Sequence, residues 1–387
     1  MATLLVLGAS QQRLPLGAMK PLHEARERVA QRVAAVCADG RAKGAVLLAT
    51  CNRFEVFFEL GSASSDALRA FVFDGLEVPL LELHDEQAID HLLRVASGLE
   101  SLVLGEDQII GQVGQAFRVA KNDGHLGKRL HMLWSRAMHV ARRLRGSRPI
   151  VSAPRSVAEL GARIAREAGP RVVIVGAGVT AHTAAEALKL LGTRELHFAN
   201  RTLANAKRLA EHFGGTAGTI DDLLCAPRDA DAVLVAISGC TLHLPVAGMP
   251  SLHTVVDVSQ PAVAVGLEQY PWLRLVDLDG LAAHQSAREE RLDKWAEQAG
   301  IAAVAESRRI WEELQDGRVD LGKLLDLHVE SAVAEVDRAL RGRLRSLDQQ
   351  QADEVRRLVE RVARRNAHMH LSDVKHFGDV NQSCVTS

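Results

Sequence analysis

The residues with the clearest chemical potential lie in a short polar segment between two apolar runs. Residues 47–56 read LLATCNRFEV, so Thr50, Cys51, Asn52 and Arg53 separate the runs. A cysteine thiolate attacks activated acyl groups, and a neighbouring cation favours the ionisation that makes it nucleophilic. Arg53 could favour the Cys51 thiolate in this way, or bind a substrate carboxylate through its forked guanidinium. From position alone, a lone cysteine is more often a core residue than a nucleophile.

A glycine-rich turn provides a second candidate site. The stretch VVIVGAGVTA, residues 172–181, places the pattern G-x-G-x-x-A between a short apolar run and a helical pattern. Gly176 permits a tight turn, and Gly178 lets the backbone approach a pyrophosphate at the helix N-terminus. Ala181 allows the helix and the strand to pack closely. We therefore predict a dinucleotide site formed by Gly176, Ala177, Gly178, Val179, Thr180 and Ala181.

The end of the next strand-like run indicates which dinucleotide binds. An NAD site usually has an acidic residue there, which binds the ribose 2′-hydroxyl. This run ends instead in Asn200, Arg201 and Thr202, which suit a 2′-phosphate. The alternative is a charged surface loop that binds no ligand. We predict NADPH as the cofactor.

Periodicity along the chain predicts three domains. Residues 1–150 mix strand-like and helical runs, as an α/β domain does. Residues 151–280 alternate short apolar runs with helical patterns, which is typical of the doubly wound parallel sheet of a Rossmann-type domain. Residues 281–387 show helical spacing only. The best linker candidate runs from Ser147 to Pro154, with two prolines and two serines.

Composition and charge fit a soluble globular protein. Of 387 residues, 47% are hydrophobic and 25% are charged, and the net charge is −1. The five cysteines form no C-x-x-C pair, and no spacing of His, Cys or carboxylates suggests a metal site. No apolar run is long enough to span a bilayer, and the N-terminus lacks the layout of a signal peptide. We therefore expect a cytoplasmic protein with no metal.

Two further patterns each have two interpretations. From Lys121 to Arg155 the chain has nine basic residues and one acidic residue, which form either a solvated helix face or a patch for a polyanion. Near the C-terminus, an apolar stripe recurs at helical spacing between charged residues. It packs against its own domain or against a second copy of the chain, and we predict the second, a homodimer. The stripe consists of Val329, Val333, Val336, Leu340, Leu344 and Leu347.

Three stretches together resemble the glutamyl-tRNA reductase family. They are ATCNRFEVF at residues 49–57, HLLRVASGLESLVLGEDQIIGQVGQAF at residues 91–117, and VVIVGAGVTA followed by NRT at residues 200–202. The second stretch is long and unusual, so chance agreement is implausible. The resemblance implies an N-terminal α/β catalytic domain, a Rossmann-type NADPH-binding domain and a C-terminal helical dimerisation domain.

The resemblance also implies roles for individual residues. Cys51 matches the nucleophile of the family, and His91 matches a histidine important for activity, so these two are the predicted catalytic residues. The predicted substrate-binding residues are Thr50, Asn52, Arg53, Ser101, Glu106, Asp107, Gln108 and Gln112. The predicted cofactor residues are the glycine-rich turn together with Asn200, Arg201 and Thr202. Considered without the resemblance, His91 would be a structural histidine. Gln108 and Gln112, which are four residues apart, would form one polar helix face.

The implied reaction is the NADPH-dependent reduction of glutamyl-tRNA to glutamate-1-semialdehyde through a thioester on Cys51, the first step of tetrapyrrole synthesis. The implied partners are glutamyl-tRNA, a second copy of the chain and the aminomutase that takes the semialdehyde. The basic stretch would contact tRNA phosphates. One loop departs from the family, since residues 257–263 read DVSQPAV where an Asp-x-Ala-Val-Pro-Arg-Asp type of motif is usual. Two alternatives are a paralogue that reduces another acyl thioester and a non-catalytic regulator that binds tRNA.

Overall fold

The computed structural model describes most of the chain. The described residues are 3–14, 16–50, 52–149, 154–284, 290–315 and 348–380, with the four positions 329, 333, 336 and 340. Those four positions are all helical, as the spacing of the apolar stripe predicts. Cys51, Leu344 and Leu347 lie outside the described residues.

The N-terminal domain is built on a four-stranded antiparallel sheet. Its strands are β1 (Leu4–Ser10), β2 (Ala42–Thr50), β3 (Arg53–Leu60) and β4 (Leu81–His84), in the order β2-β3-β1-β4. Its helices are α1 (Leu16–Glu24), α2 (Arg26–Ala38), α3 (Ser65–Val72), α4 (Asp85–Ser97), α5 (Asp107–Asn122) and α6 (Lys128–Gly146). Every residue of β1 is buried, because helices cover both faces of the sheet.

Successive side chains of β1 enter two different cores. Leu5 and Leu7 pack with α1, α2 and α3, whereas Leu4 and Val6 pack with α4, α5 and α6. This division follows from the two-residue period of a strand. The β2–β3 hairpin pairs Thr50 with Arg53, so its tight turn lies at one end of the sheet.

A six-stranded parallel sheet forms the middle of the chain. Its strands are β5 (Arg171–Val175), β6 (Glu195–Asn200), β7 (Thr216–Thr219), β8 (Ala232–Val235), β9 (Thr254–Asp257) and β10 (Arg274–Val276), in the order β10-β9-β8-β5-β6-β7. Its helices are α7 (Val157–Ala168), α8 (Val179–Leu190), α9 (Leu203–Phe213), α10 (Ile220–Cys225) and α11 (Leu278–His284). The strand order reverses beside β5, and ligands of such sheets bind at the carboxyl ends of the strands at that point.

Two long helices follow, α12 (Glu290–Gln315) and α13 (Gln349–Val380). Helix α12 packs along α4 and α6 of the N-terminal domain, where Trp295 Nε1 donates a hydrogen bond to the carbonyl oxygen of Leu144 at 3.1 Å. Two arginines of α6 form ion pairs with two glutamates of α12, Arg136 with Glu313 and Arg143 with Glu306. Part of the predicted basic patch therefore neutralises a neighbouring helix.

The predicted fold class is confirmed. An N-terminal α/β domain precedes a Rossmann-type parallel sheet and a helical C-terminal region. The domain boundaries near residues 150 and 280 and the homodimer stay predictions. Helix α12 joins the apolar core of the N-terminal domain through Leu292, Trp295 and Ala299, so the first part of the helical region supports the domain that precedes the parallel sheet.

Candidate active site

A cleft of about 480 Å³ lies between the N-terminal domain and the Rossmann-type domain. One wall comes from the β2–β3 turn, the turn after α4 and helix α5, and the other from α7, α8 and the loop after β9. Its lining residues are Thr50, Asn52, Arg53, Ser101, Glu106, Gln108, Ile109, Gln112, Val157, Ala158, Thr180 and Val258. Seven of the eight predicted substrate-binding residues therefore share one space with a residue of the glycine-rich turn.

The β2–β3 turn brings three predicted residues to the cleft. Thr50 and Arg53 are paired at the end of the hairpin, and the main-chain N–H of Asn52 donates to Thr50 Oγ1 at 3.3 Å. Cys51, the predicted nucleophile, lies outside the described residues. Both of its neighbours in sequence line the cleft.

Arg53 is a buried cation that is held from two sides. Its side chain is 2% exposed. Nη1 donates to Glu55 Oε1 at 3.1 Å, and Nη2 donates to the main-chain oxygen of Glu100 at 2.6 Å. Burial opposes the ionisation of Glu55, but the charges of Arg53 and His91 outweigh it and lower the pKa of Glu55. Because buried charges require partners, this pairing fixes the guanidinium at the wall of the cleft.

His91, the second predicted catalytic residue, is not among the described residues that line the cleft. Its Nε2 lies 3.0 Å from Glu55 Oε1, and its Nδ1 lies 3.1 Å from Glu100 Oε2. Burial opposes the imidazolium charge, but the two carboxylates outweigh it and raise the pKa of His91 to about 9. His91 therefore contacts the residues that hold Arg53.

Glu106 is the N-cap residue of α5 and lines the cleft. Burial raises the pKa of Glu106 to about 7, against the charges of two arginines and a hydrogen bond from the main-chain N–H of Val157. Gln108 and Gln112 lie one turn apart on α5 and line the same space. The cleft therefore offers a carboxyl group that titrates near neutral pH beside two neutral amides.

Asp107 is the one predicted substrate-binding residue that does not line the cleft in the described part of the chain. Its carboxylate accepts a hydrogen bond from Arg145 Nη2 at 2.6 Å and lies 3.1 Å from Arg155 Nε. Its main-chain N–H donates to the carbonyl oxygen of Arg155 at 3.1 Å. Asp107 thus ties α5 to α6 and to the segment before α7. Two more members of the basic stretch are ion-paired as a result.

Three buried polar atoms of the cleft residues have no hydrogen-bond partner within the described residues. They are Asn52 Oδ1, Arg53 Nε and Ser101 Oγ. Leaving such an atom unpaired costs about 1–3 kcal/mol, so buried polar groups normally find partners. An acceptor, a cationic donor and a hydroxyl around one cleft therefore suit a polar ligand that completes their hydrogen bonding.

The glycine-rich turn connects β5 to α8 at the carboxyl edge of the parallel sheet. Gly176 has a φ of +123°, and a Cβ there would lie 2.3 Å from the carbonyl oxygen of Ala236. Gly178 is the N-cap of α8, and a Cβ on it would meet nothing within 4 Å. This open approach to the N–H groups at the helix N-terminus fits a pyrophosphate. Ala181 is fully buried, as close packing of helix and strand requires.

Asn200, Arg201 and Thr202 lie at the same edge of the sheet, after β6. Asn200 Nδ2 donates to the carbonyl oxygen of Thr202 at 3.1 Å, and the side chain of Arg201 is exposed. Strands β5 and β6 are parallel neighbours, so their carboxyl ends lie side by side. A cation therefore stands next to the glycine-rich turn, on the side where this fold holds the adenosine ribose.

The loop after β9, which departs from the family pattern, is organised by the buried carboxylate of Asp257. Its Oδ1 accepts a hydrogen bond from the N–H of Ser259 at 2.9 Å. Its Oδ2 accepts from the N–H groups of Val263 and Ala264, both at 2.8 Å. Val258 of this loop lines the cleft. The loop is therefore held in place without the arginine and second aspartate of the family pattern.

Two carboxylates of the site, Glu55 and Glu100, were not predicted from the sequence. Glu55 interrupts the apolar run of β3 two residues after Arg53, and a period of two places both side chains on one face of the strand. A charged residue in such a buried run was the available signal. Glu100 precedes Ser101 inside the long stretch that carries the resemblance, and nothing in its spacing distinguishes it.

Comparison with known proteins bears on both walls of the cleft. Residues 7–147 match the family described as the glutamyl-tRNAGlu reductase N-terminal domain. This part of the chain belongs to that domain family. Residues 159–283 match the shikimate / quinate 5-dehydrogenase family, and a domain of this dehydrogenase type indicates a nicotinamide cofactor.

Relatives extend the similarity along the chain. A glutamyl-tRNA reductase of Acidothermus cellulolyticus is 29% identical over 95% of this chain and 82% of its own length. One of Stenotrophomonas maltophilia is 38% identical over 60% of this chain, and the match spans 56% of that protein's length. The solved glutamyl-tRNA reductase from Methanopyrus kandleri is 24% identical, with a TM-score of 0.47, covering 96% of this chain and 100% of that one. The predicted resemblance to glutamyl-tRNA reductases is confirmed.

The described ranges contain neither a membrane-spanning helix nor a cluster of metal ligands. No helix there is both long and apolar enough to cross a membrane. No group of three or more His, Cys, Asp or Glu side chains in the same ranges could hold a metal ion.

Proposed function

We propose that this protein reduces glutamyl-tRNA to glutamate-1-semialdehyde with NADPH, through a thioester on Cys51. One observation carries the proposal: the residues on both sides of Cys51 share a cleft with Thr180 of the glycine-rich turn. An acyl group on Cys51 would then lie beside the site for the dinucleotide. The relatives named glutamyl-tRNA reductase support the same reaction.

The first half of the reaction is acyl transfer. The Cys51 thiolate attacks the ester carbonyl carbon, a C–S bond forms, and the C–O bond to the terminal ribose of the tRNA breaks. The proton that the thiol gives up is balanced by the proton that the leaving ribose oxygen gains. Arg53, a cation two residues from Cys51, favours the thiolate form.

The glutamyl group offers a carboxylate and an ammonium, and the cleft has a counterpart for each. Arg53 uses one N–H on each terminal nitrogen for Glu55 and Glu100, and its Nε has no partner within the described residues, so the guanidinium retains N–H donors for the substrate carboxylate. Glu106 faces the same space, and an ammonium bound beside it would hold it in the ionised form. The Oγ of Ser101 and the Oδ1 of Asn52 complete the polar contacts.

The residues present fit a nicotinamide dinucleotide. Gly176, Gly178 and the N-terminus of α8 would hold the pyrophosphate, and Arg201 would bind the 2′-phosphate that distinguishes NADPH from NADH. When bound, NADPH would supply a hydride to the thioester carbon, and breaking of the C–S bond then releases the aldehyde and returns Cys51 as its thiolate. Val157, Ala158 and Val258 form the apolar part of the cleft wall and limit the access of water that would hydrolyse the thioester.

The proposal includes the partners and the compartment. The C-terminal helices pair two copies of the chain, and the aminomutase that consumes the semialdehyde receives the product, because a reactive aldehyde is best passed on quickly. The five cysteines form no C-x-x-C pair, which supports a reducing compartment, and the proposed compartment is the cytoplasm.

An assay with the purified full-length protein, glutamyl-tRNA and NADPH tests the proposal. We expect the semialdehyde to form in proportion to the NADPH consumed and to the deacylated tRNA released. A protein that reduces a different acyl thioester would leave both the glutamyl-tRNA and the NADPH unchanged. A regulator that only binds tRNA would retain glutamyl-tRNA and oxidise no NADPH, and either result would contradict the proposal.

A further inference from the structure

Glu100 contacts both of the buried cations at the wall of the cleft. Its carboxylate Oε2 lies 3.1 Å from His91 Nδ1 and 4.0 Å from Arg53 Nη1. Its main-chain oxygen accepts a hydrogen bond from Arg53 Nη2 at 2.6 Å. A single residue therefore holds Arg53 through its backbone and His91 through its side chain.

A closed turn fixes Glu100 in this place. Gly98 ends α4 with a left-handed φ of +77°, and the N–H of Gly105 donates back to the carbonyl oxygen of Gly98 at 2.9 Å. A Cβ on Gly98 would lie 2.9 Å from the Cα of Gly105, so only glycine lets the two ends of the turn approach this closely. Within the turn, Glu100 contacts His91 and the next residue, Ser101, lines the cleft.

Both ring nitrogens of His91 face carboxylates, Glu55 at Nε2 and Glu100 at Nδ1. A neutral imidazole has one N–H and one lone pair, so it would set a lone pair against one of the carboxylates. The imidazolium carries a positive charge that attracts both carboxylates, although Nε2 makes no well-aligned hydrogen bond. Two residues of β3 also lie close to the cluster: Arg53 lies against the same two carboxylates, and Phe57 stacks on the ring at 6.2 Å between centroids. The cluster of two cations and two anions is neutral.

We propose that Glu100 is a positioning residue: it keeps His91 protonated, and the protonated ring holds Glu55 so that Arg53 keeps a fixed orientation at the wall of the cleft. This inference rests on the proposed function, in which Arg53 binds the substrate carboxylate. Without the Glu100 carboxylate the cluster has a net positive charge, which His91 relieves by losing a proton. A neutral ring binds Glu55 more weakly than a charged ring does, so Arg53 loses part of its fixed orientation.

NMR of the histidine ring C–H signals reports the protonation of His91 in the full-length protein without any substrate. The signal of His91 is identified by its loss in His91→Gln. Its titration midpoint should lie near pH 9 in the unchanged protein, in line with the pKa of about 9. In Glu100→Gln the midpoint should fall by about one pH unit or more, because one of the two carboxylates is gone. An unchanged midpoint overturns the proposal.

Glu82→Gln is the matched control, since Glu82 contacts His84 on β4 at 2.9 Å and belongs to no part of the cluster. It should leave the His91 midpoint where it is. Glu100→Asp keeps the charge on a shorter side chain and should give an intermediate midpoint. This variant also keeps the test open if Glu100→Gln does not fold, since a midpoint equal to that of the unchanged protein would then count against Glu100.

The pH dependence of kcat/KM for glutamyl-tRNA gives a second readout. His91 stays protonated between pH 6.5 and 8 in the unchanged protein. In Glu100→Gln a midpoint one pH unit lower leaves about half of His91 protonated at pH 8, so kcat/KM should fall about twofold or more over this range. Glu100→Asp should restore part of the loss. A loss that is equal at every pH indicates a purely structural role and overturns the proposal. If the unchanged protein reduces no glutamyl-tRNA, the proposed function fails, while the NMR titration still decides what Glu100 does to His91.

Discussion

Glu106, the N-cap of α5, and Val157, the first residue of α7, line the same cleft from its two walls. The pair therefore brings the two domains together at one space. Burial raises the pKa of Glu106 to about 7, so this carboxyl group is partly protonated at neutral pH. The surroundings of Glu106 therefore oppose its ionisation, and they do so where the proposed substrate presents its ammonium group.

Glu106→Gln should stabilise the protein at pH 8 and impair its reaction. Glutamate titrates near 4.5 when unfolded and near 7 here, so the free energy of unfolding falls as the pH rises through this window and stays low above it. Replacing the carboxyl group should raise the free energy of unfolding by on the order of 1–3 kcal/mol at pH 8 and should change it little at pH 4. Urea unfolding at both pH values measures the difference.

Glu82→Gln serves as the opposite control for that experiment. Burial opposes the ionisation of Glu82, but contacts with His84, Ser65 and Arg69 outweigh it and lower its pKa. Stability from such a group is present above its unfolded pKa and is lost in acid, so this variant should be less stable than the unchanged protein at pH 8. Equal stability of Glu106→Gln and the unchanged protein at pH 8 would refute the raised pKa.

Cys51→Ser should abolish reduction and leave the binding of NADPH and glutamyl-tRNA largely intact. A serine hydroxyl is a far weaker nucleophile than a thiolate at neutral pH, and the exchange changes little else at the β2–β3 turn. Cys225→Ser is the control, because Cys225 is exposed and should tolerate the same substitution without loss of activity. Semialdehyde formation and fluorescence titration of NADPH measure the two effects; substantial reduction by the Cys51 variant would rule out the nucleophile.

Arg201→Ala should weaken NADPH binding and leave NADH binding almost unchanged. The exposed guanidinium beside the glycine-rich turn is the proposed partner of the 2′-phosphate, and a lost charge-assisted contact costs roughly 1–3 kcal/mol. Arg208→Ala, on the following helix, is a matched control, since Arg208 donates to Asn205 of its own helix. Calorimetry with both cofactors measures the affinities. Equal binding of NADPH and NADH by the unchanged protein would contradict the choice of cofactor.

Local patterns predicted the parts of the fold that depend on neighbouring residues. The two apolar runs beside Cys51 form the strands β2 and β3, and the strand-turn-helix expected at residues 172–181 is present as β5, the glycine-rich turn and α8. The lining of the cleft by Gln108 and Gln112 agrees with the expectation that residues four apart share a helix face.

What the sequence did not predict depends on contacts between distant elements. The basic stretch was open to two interpretations because the acids that pair with Arg136 and Arg143 lie on α12, more than 150 residues later. Asp107 was expected at the substrate, yet its carboxylate lies between Arg145 and Arg155. The charge cluster around His91 is formed by residues of a strand, a helix and a turn. No local sequence pattern predicts a contact between elements so far apart in the chain.

We predict that the protein dimerises through its C-terminal helices. The two halves of that region differ in how far their apolar side chains are exposed. Val329, the first residue of the apolar stripe, is already buried within one chain, whereas Leu358 and Val362, one turn apart on α13, are 56% and 48% exposed. Fully burying such a side chain contributes roughly 1.5–3 kcal/mol, so several of them on two chains offset an association cost on the order of 4–15 kcal/mol.

A chain cut after Gln315 should therefore be a monomer that still binds NADPH, because the cut keeps all of α12, including the ion pair between Glu313 and Arg136. In the full-length protein, Leu358→Asp should dissociate the dimer, since it places a charge in the middle of the paired surface. Leu190→Asp, at a position that is 84% exposed on α8, should leave the dimer intact. Sedimentation at micromolar concentration decides: a full-length monomer, or a dimer that survives the cut at Gln315, would show that these helices do not join two chains.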